Sequence, residues 1–193
     1  HSMSDIWARG AKPQAVLSQI ILPPMASALQ SAFLSELLAG ADRALRGASV
    51  TLAGGHTTEG QELTIGFTAT GRLKKRPATN GGAQPGDALI LTRPMGSGTL
   101  LAAEMRTKAP GGVIADLWSD LARPLGPEAQ ALHRASALTD VTGFGLAGHL
   151  TEVCKASGVG ATLIRGAIPI RQGAAELFET GCHPHLWNST RTA

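Results

Sequence analysis

Cysteine is scarce in this sequence: there are two, Cys154 and Cys182, far apart and outside any metal-ligand spacing. That argues against a disulfide framework and makes a reducing compartment, the cytoplasm, the expected setting. Cys154 falls on an apolar helix-like run and reads as buried. No apolar stretch reaches the ~18 residues that a spanning helix needs, and no signal-peptide pattern is visible. A large excess of charge of one sign is also missing. The net charge is +3, and the densest basic cluster, "RLKKR" (Arg72 to Arg76), sits beside a Gly-rich segment and reads as a solvated loop. Neither nucleic acid nor membrane is therefore an expected partner. There is no G-x-x-x-x-G-K-[ST] loop, and no G-x-G-x-x-G with an acid about 20 residues on, which disfavours P-loop and Rossmann sites.

What is present is a chain of 193 residues, 43% apolar and 16% charged, the range of a soluble globular protein able to bury a substantial core. Twenty-four glycines predict tight turns and close backbone approaches. "QAVLSQIIL" (Gln14 to Leu22) is a nearly continuous apolar run between Pro13 and Pro23 and predicts a buried strand. Leu29, Phe33, Leu37, Leu38, Ala41 and Leu45 recur at helical spacing behind Ser27. "VTLA" (Val50 to Ala53) predicts a short strand running into Gly54-Gly55. "ELTIGFTATG" alternates, with Leu63, Ile65, Phe67 and Ala69 on one side, and predicts a half-exposed edge or barrel strand of an antiparallel or mixed sheet. Leu73 to Asp87, rich in Gly, Pro and charge, is the best domain boundary. Beyond it, "ALILT" (Ala88 to Thr92) and "VGATLI" (Val159 to Ile164) predict strands. Helices are predicted after "RPMGSG", between Val113 and Ala137 with Pro124 and Pro127 as breakers, from Gly145 to Ala156, and over Gly173 to Gly181. The fold class is α/β (α+β), with mixed sheets and flanking helices in two layers.

Four places combine glycine with acid or histidine in ways a core does not require: "SDIWARGAKP" with Asp5; "AGGHTTEG" with Gly54, Gly55 and His56; "RPMGSGTL"; and "TDVTGFGLAGH" with Asp140. Gly-rich turns ahead of helices expose N–H groups that suit phosphate. A carboxylate beside such a turn is explained by a divalent cation between it and the phosphates, since Mg²⁺ uses few carboxylates plus substrate oxygens. Each feature also has a plain reading: a cap or Asx-turn for the acids, a turn for the glycines, a loop position for His56. His149, on a helix among apolar residues, reads as structural. His183 and His185 flank Pro184 at a spacing that only weakly favours metal.

The strings "SDIWARGAKPQAVL", "LAGGHTTEGQELTIGFTATG", "PGDALILTRPMGSGTLLAAEM" and "LTDVTGFGLAGHLTEVCKASGVG" resemble the selenophosphate synthetase (selenide, water dikinase) family. The similarity runs from Ser4 to about Arg191. Aminoimidazole ribonucleotide synthetase and other ATP-binding relatives share the fold but not these strings. The resemblance implies two α/β domains: the latter part of an ATP-binding, dimer-forming N-terminal domain at 4–84, and much of a C-terminal domain at 85–193. It implies synthesis of selenophosphate from selenide, ATP and water, with Mg²⁺, releasing AMP and phosphate, in a homodimer. Asp5 matches an acid that contacts Mg²⁺ and ATP. Asp140 matches a Mg²⁺ ligand. Gly54, Gly55 and His56 match a loop that reaches ATP across the dimer.

The departures from the family are specific. Its reactive Cys or selenocysteine, a nearby lysine and a further metal-binding Asp would precede Ser4. Neither Cys154 nor Cys182 takes the nucleophile's place, and Lys12 and Lys155 lie outside its motif. No catalytic residue is therefore assigned here. Arg9 and Arg93 stand where the family often has Met and Lys, and keep or add positive charge near a phosphate site. "HSM" resembles the scar of a purification tag, and "NSTRTA" ends without a closing element, so a longer natural protein is expected. Two alternatives stand beside the enzyme: a catalytically silent nucleotide-binding or dimerisation module, and a fusion with an upstream oxidoreductase domain.

Overall fold

A computed structural model of the chain describes residues 1–74 and 76–184. Lys75, His185 and the C-terminal "NSTRTA" lie outside the described residues. The chain forms two compact units, His1–Pro77 with Arg123–His133, and Ala78–Ala122 with Arg134–Ala193. Among the described residues, no helix is long and apolar enough to cross a membrane.

The first unit contains α1 (Ser4–Ala8), β1 (Lys12–Leu22), α2 (Ser27–Gly47), β2 (Thr51–Glu59) and β3 (Thr64–Arg72). The strands form one mixed sheet in the order β2-β1-β3. β1 runs parallel to β2, pairing Gln19 with His56, and antiparallel to β3, pairing Ser18 with Phe67. A parallel neighbour needs a crossover, and α2 supplies it. β3 is an edge strand, as its alternation predicts.

The central strand departs from the expected two-sided burial. Val16, Ser18, Ile20 and Leu22 are buried, whereas Leu17 is 50% exposed. Val16 packs with Leu45 of α2, Val50, Phe67 and Ala69 on one face of the sheet. Among the described residues, the opposite face, with Leu17, carries no core cluster. The buried stripe of α2 also differs from the expected one. Leu45 is buried and Leu34, Leu37, Leu38 and Ala41 are half-buried, whereas Leu29 and Phe33 are exposed, because the helix turns its N-terminal apolar residues away from the sheet. From the later sequence, α5 (Gly126–Ala131) joins this unit. Pro127 begins that helix rather than breaking it, since its missing N–H falls in the first turn.

The second unit is built on α3 (Ser97–Glu104), α4 (Gly111–Leu121), α6 (Gly145–Ser157), a 3₁₀ turn (Arg165–Ala167) and α7 (Ala174–Glu179). Leu100, Ile114, Leu117 and Ala174 form its core. The strands expected at 88–92 and 159–164 are absent. Those segments have no ladder partner among the described residues; only an isolated bridge joins Met95 to Ile170. Apolar, β-branched sequence favours extended backbone, but a strand also needs an edge to pair with. Leu89, Ile90, Leu163 and Ile164 are accordingly exposed. Cys154, expected buried, is half-buried, in an apolar groove with Leu150, Val159 and Leu163, while Cys182 is fully buried; both are free thiols.

One serine fastens the entry to this unit. The hydroxyl of Ser157, the last residue of α6, accepts from the amides of Gly82 and Ala83 and donates to the carbonyl of Asn80. Gly82 has φ +121°, and a Cβ there would come within 2.5 Å of the Ser136 carbonyl oxygen. Ser157→Ala leaves three backbone groups without that partner. It should destabilise the chain by about 1 kcal/mol, read as a lower urea midpoint; an unchanged midpoint would mean that water replaces the hydroxyl in full.

Candidate functional site

Asp140 lies in the second unit, half-buried, in the five-residue approach to α6. The segment is fastened on both sides of the acid. Upstream, the Leu138 amide donates to the Thr79 carbonyl at 3.1 Å. Downstream, the Thr142 amide donates to His149 Nε2 at 3.0 Å, and the Thr142 carbonyl accepts from the Gly145 amide at 3.0 Å. The carboxylate therefore stands on backbone with little freedom, as a ligand-presenting loop requires. Two glycines make the turn possible. Gly145 opens α6 at φ +69°, a left-handed conformation that disfavours a side chain. Gly148 stands where a Cβ would lie 2.9 Å from Phe144 Cβ.

Asp5 is in the first unit, exposed, in the first turn of α1. Its backbone carbonyl accepts from the Arg9 amide at 3.1 Å. The helix abuts β3: Ile6 lies so near Gly71 that a Cβ there would meet its methyl at 2.5 Å.

Gly54, Gly55 and His56, expected in a loop, are inside β2, which continues to Glu59. Glycine in a strand marks close backbone approach. At Gly55 an added Cβ would overlap the Ser18 hydroxyl and carbonyl oxygens of β1. His56 is exposed and pairs with Gln19. It belongs to the sheet edge opposite β3, so this chain does not bring His56 to Asp5.

The other residues singled out make local packing or hydrogen-bond contacts. Gly96 caps α3 at φ +112°, and its Cβ would lie 2.6 Å from Ala174 Cβ, so helix packing accounts for this glycine. Arg93, placed by resemblance near phosphate, donates to the Asp120 carbonyl at 2.8 Å, at the end of α4. His183 packs edge-on against Phe178, ring centroids 4.5 Å apart; its expected pair, His185, lies outside the described residues. Among the described residues, no three His, Cys, Asp or Glu side chains converge as a metal cluster. The contact that sequence reasoning missed is His149 to Thr142. Its signal is a histidine in the second turn of a helix, where side chains lean back toward the N-terminus.

Residues 1–73 match the family described as AIR synthase related protein, N-terminal domain, and residues 84–183 match AIR synthase related protein, C-terminal domain. The selenide, water dikinase of Trichlorobacter lovleyi is 38% identical over 188 residues, which is 95% of this chain and 54% of that protein. The one from Nitratidesulfovibrio vulgaris is 37% identical over 197 residues, 99% of this chain and 55% of that protein. The chain thus spans about half the length of the curated relatives it matches. Hydrogenase maturation protein HypE in complex with ATP aligns at a TM-score of 0.79 with 21% identity, over 95% of this chain and 56% of HypE. Thiamine monophosphate kinase from Aquifex aeolicus aligns at 0.74 with 19% identity, over 93% and 61%. At these identities the two structures establish a common fold.

Proposed function

This chain belongs to the AIR synthase related family, and from that premise we propose that its protein makes selenophosphate from selenide, ATP and water, releasing AMP and phosphate. The observation that carries the reading is similarity over nearly the whole chain to proteins named selenide, water dikinase. The fastened Asp140 loop supports it from the chemistry.

The donors fit magnesium. Mg²⁺ prefers oxygen ligands and takes one or two carboxylates, with phosphate oxygens and water completing its shell, so a cage of three acidic side chains is not required. Asp140 would hold the ion, which when bound neutralises charge on the phosphate oxygens; Asp5, in the first unit, is the other acid proposed as a metal ligand. The chain's own residues do the rest. The 138–142 segment presents one carboxylate without free rotation of its backbone. Gly54 and Gly55 leave a stretch of β2 without side chains, which lets phosphate oxygens approach amides, and His56 offers a polar ring beside them. Neither thiol serves as the nucleophile, since Cys182 is fully buried and Cys154 lies in an apolar groove. The 193 residues are therefore expected to bind nucleotide with little or no turnover.

Titration calorimetry with ATP, in magnesium and in chelator, tests the reading. Magnesium-dependent binding is expected; no heat at millimolar nucleotide would overturn a preformed site. The uncovered face of the sheet, with Leu17 half-exposed on its central strand, supports a homodimer in which a second copy covers it. Leu17→Glu should then shift the mass measured by light scattering from dimer to monomer; an unchanged mass would place the interface elsewhere.

A further inference from the structure

The two fastenings of the Asp140 loop differ in kind. The upstream one joins backbone to backbone, from Leu138 to Thr79. The downstream one combines a backbone bond, from the Gly145 amide to the Thr142 carbonyl, with a side-chain bond, in which the His149 imidazole accepts from the Thr142 amide. We propose that His149 is the positioning residue of this loop, holding Thr142 so that the carboxylate two residues upstream faces a metal-bound phosphate in one orientation. The inference rests on the nucleotide-site reading above and adds a residue to it.

The geometry follows from the start of α6. Its N-cap, Phe144, makes no side-chain capping bond. Helical side chains tilt toward the N-terminus, so His149, one turn in, reaches back over the helix start. Its Nε2 accepts from the Thr142 amide at 3.0 Å, and Thr142 Oγ1 lies 3.2 Å from the same nitrogen. An acceptor at Nε2 places the ring hydrogen on Nδ1. The Phe144 ring flanks the imidazole, with centroids 6.0 Å apart, and the bare Cα of Gly148 leaves room for Phe144. A histidine present only for packing would not direct its acceptor nitrogen at the backbone of the acid-bearing loop. Removing residues that orient a metal ligand typically costs about 10- to 100-fold in affinity or activity.

The test compares three variants of the 193-residue chain. Gln at 149 can place its amide oxygen near the position of Nε2. Asn is too short and Leu has no acceptor. Amide exchange at Thr142, by NMR, reads the loop directly; ATP affinity in magnesium reads the consequence. His149→Leu and His149→Asn should each lose at least about tenfold in Thr142 protection and raise the Kd for ATP in magnesium about tenfold. His149→Gln should restore both, with urea midpoints unchanged. If Leu fails to fold, Asn and Gln still decide. Equal protection in all variants, an unchanged Kd in Asn, or Gln behaving like Asn would overturn the proposal. If the unsubstituted chain shows no magnesium-dependent ATP affinity, the functional reading fails by itself, and the exchange arm still decides whether His149 holds the loop.

Discussion

Alanine at Gly55 is expected to unfold the first unit, by about 3 kcal/mol or more. The cost comes from backbone. An added Cβ would overlap both the hydroxyl and the carbonyl oxygen of Ser18 on the neighbouring strand. Ser18 is itself buried, so its side chain has no solvent into which to retreat. β1 and β2 would have to separate, breaking the parallel pairing that runs from Ala15 and Thr51 to Leu22 and Glu59. Ser18→Gly in the same chain should not rescue it, because the carbonyl oxygen remains. A control is available in α2: Gly40 has open space at its Cβ position and ordinary helical backbone. Gly40→Ala should stabilise by about 0.5–1 kcal/mol. Urea titration of the three variants checks all three signs, and a folded Gly55→Ala chain of normal midpoint would show that the strand spacing is soft. For the same reason Gly55→Ala cannot test nucleotide contact; the exposed His56 can.

What the sequence made legible follows from which signals are local. The period-2 pattern from Leu63 to Ala69 located β3, and helical spacing located α2, because burial on one face imprints a period. Where burial depends on a partner, the pattern misleads. The apolar run of β1 reads as a strand covered on both faces, yet this chain covers only the side of Val16 and Ile20. "ALILT" and "VGATLI" have strand composition and no strand beside them among the described residues. Gly54-Gly55 reads as a turn because glycine permits one, whereas here the same residue type permits two strands to touch. The candidate site divides the same way. Asp140 is visible as an acid before glycines. That its loop is fastened at Leu138 and at Thr142 is visible only once α6 and residue 79 are placed.

The largest functional effect is expected at Asp140, and its sign should depend on the metal. Without a cation, a carboxylate in a phosphate site repels the triphosphate. Asp140→Asn, which keeps the shape of the side chain and removes its charge, should then leave ATP affinity in chelator unchanged or slightly improved. In magnesium the same carboxylate becomes a ligand, and its loss should weaken ATP binding by about tenfold or more, ~1.4 kcal/mol per factor of ten. A change of the same sign and size in both buffers would be an ordinary structural effect and would remove Asp140 from the metal site. Asp5→Asn extends the test to the first unit. Should both aspartates act through shared magnesium, the double variant in magnesium will lose less than the sum of the two single losses, because the first substitution already removes the ion that the second would have held. Strictly additive losses would mean that Asp5 and Asp140 serve separate sites. The coupling is measurable with the chain as it stands, by calorimetry on four proteins in two buffers.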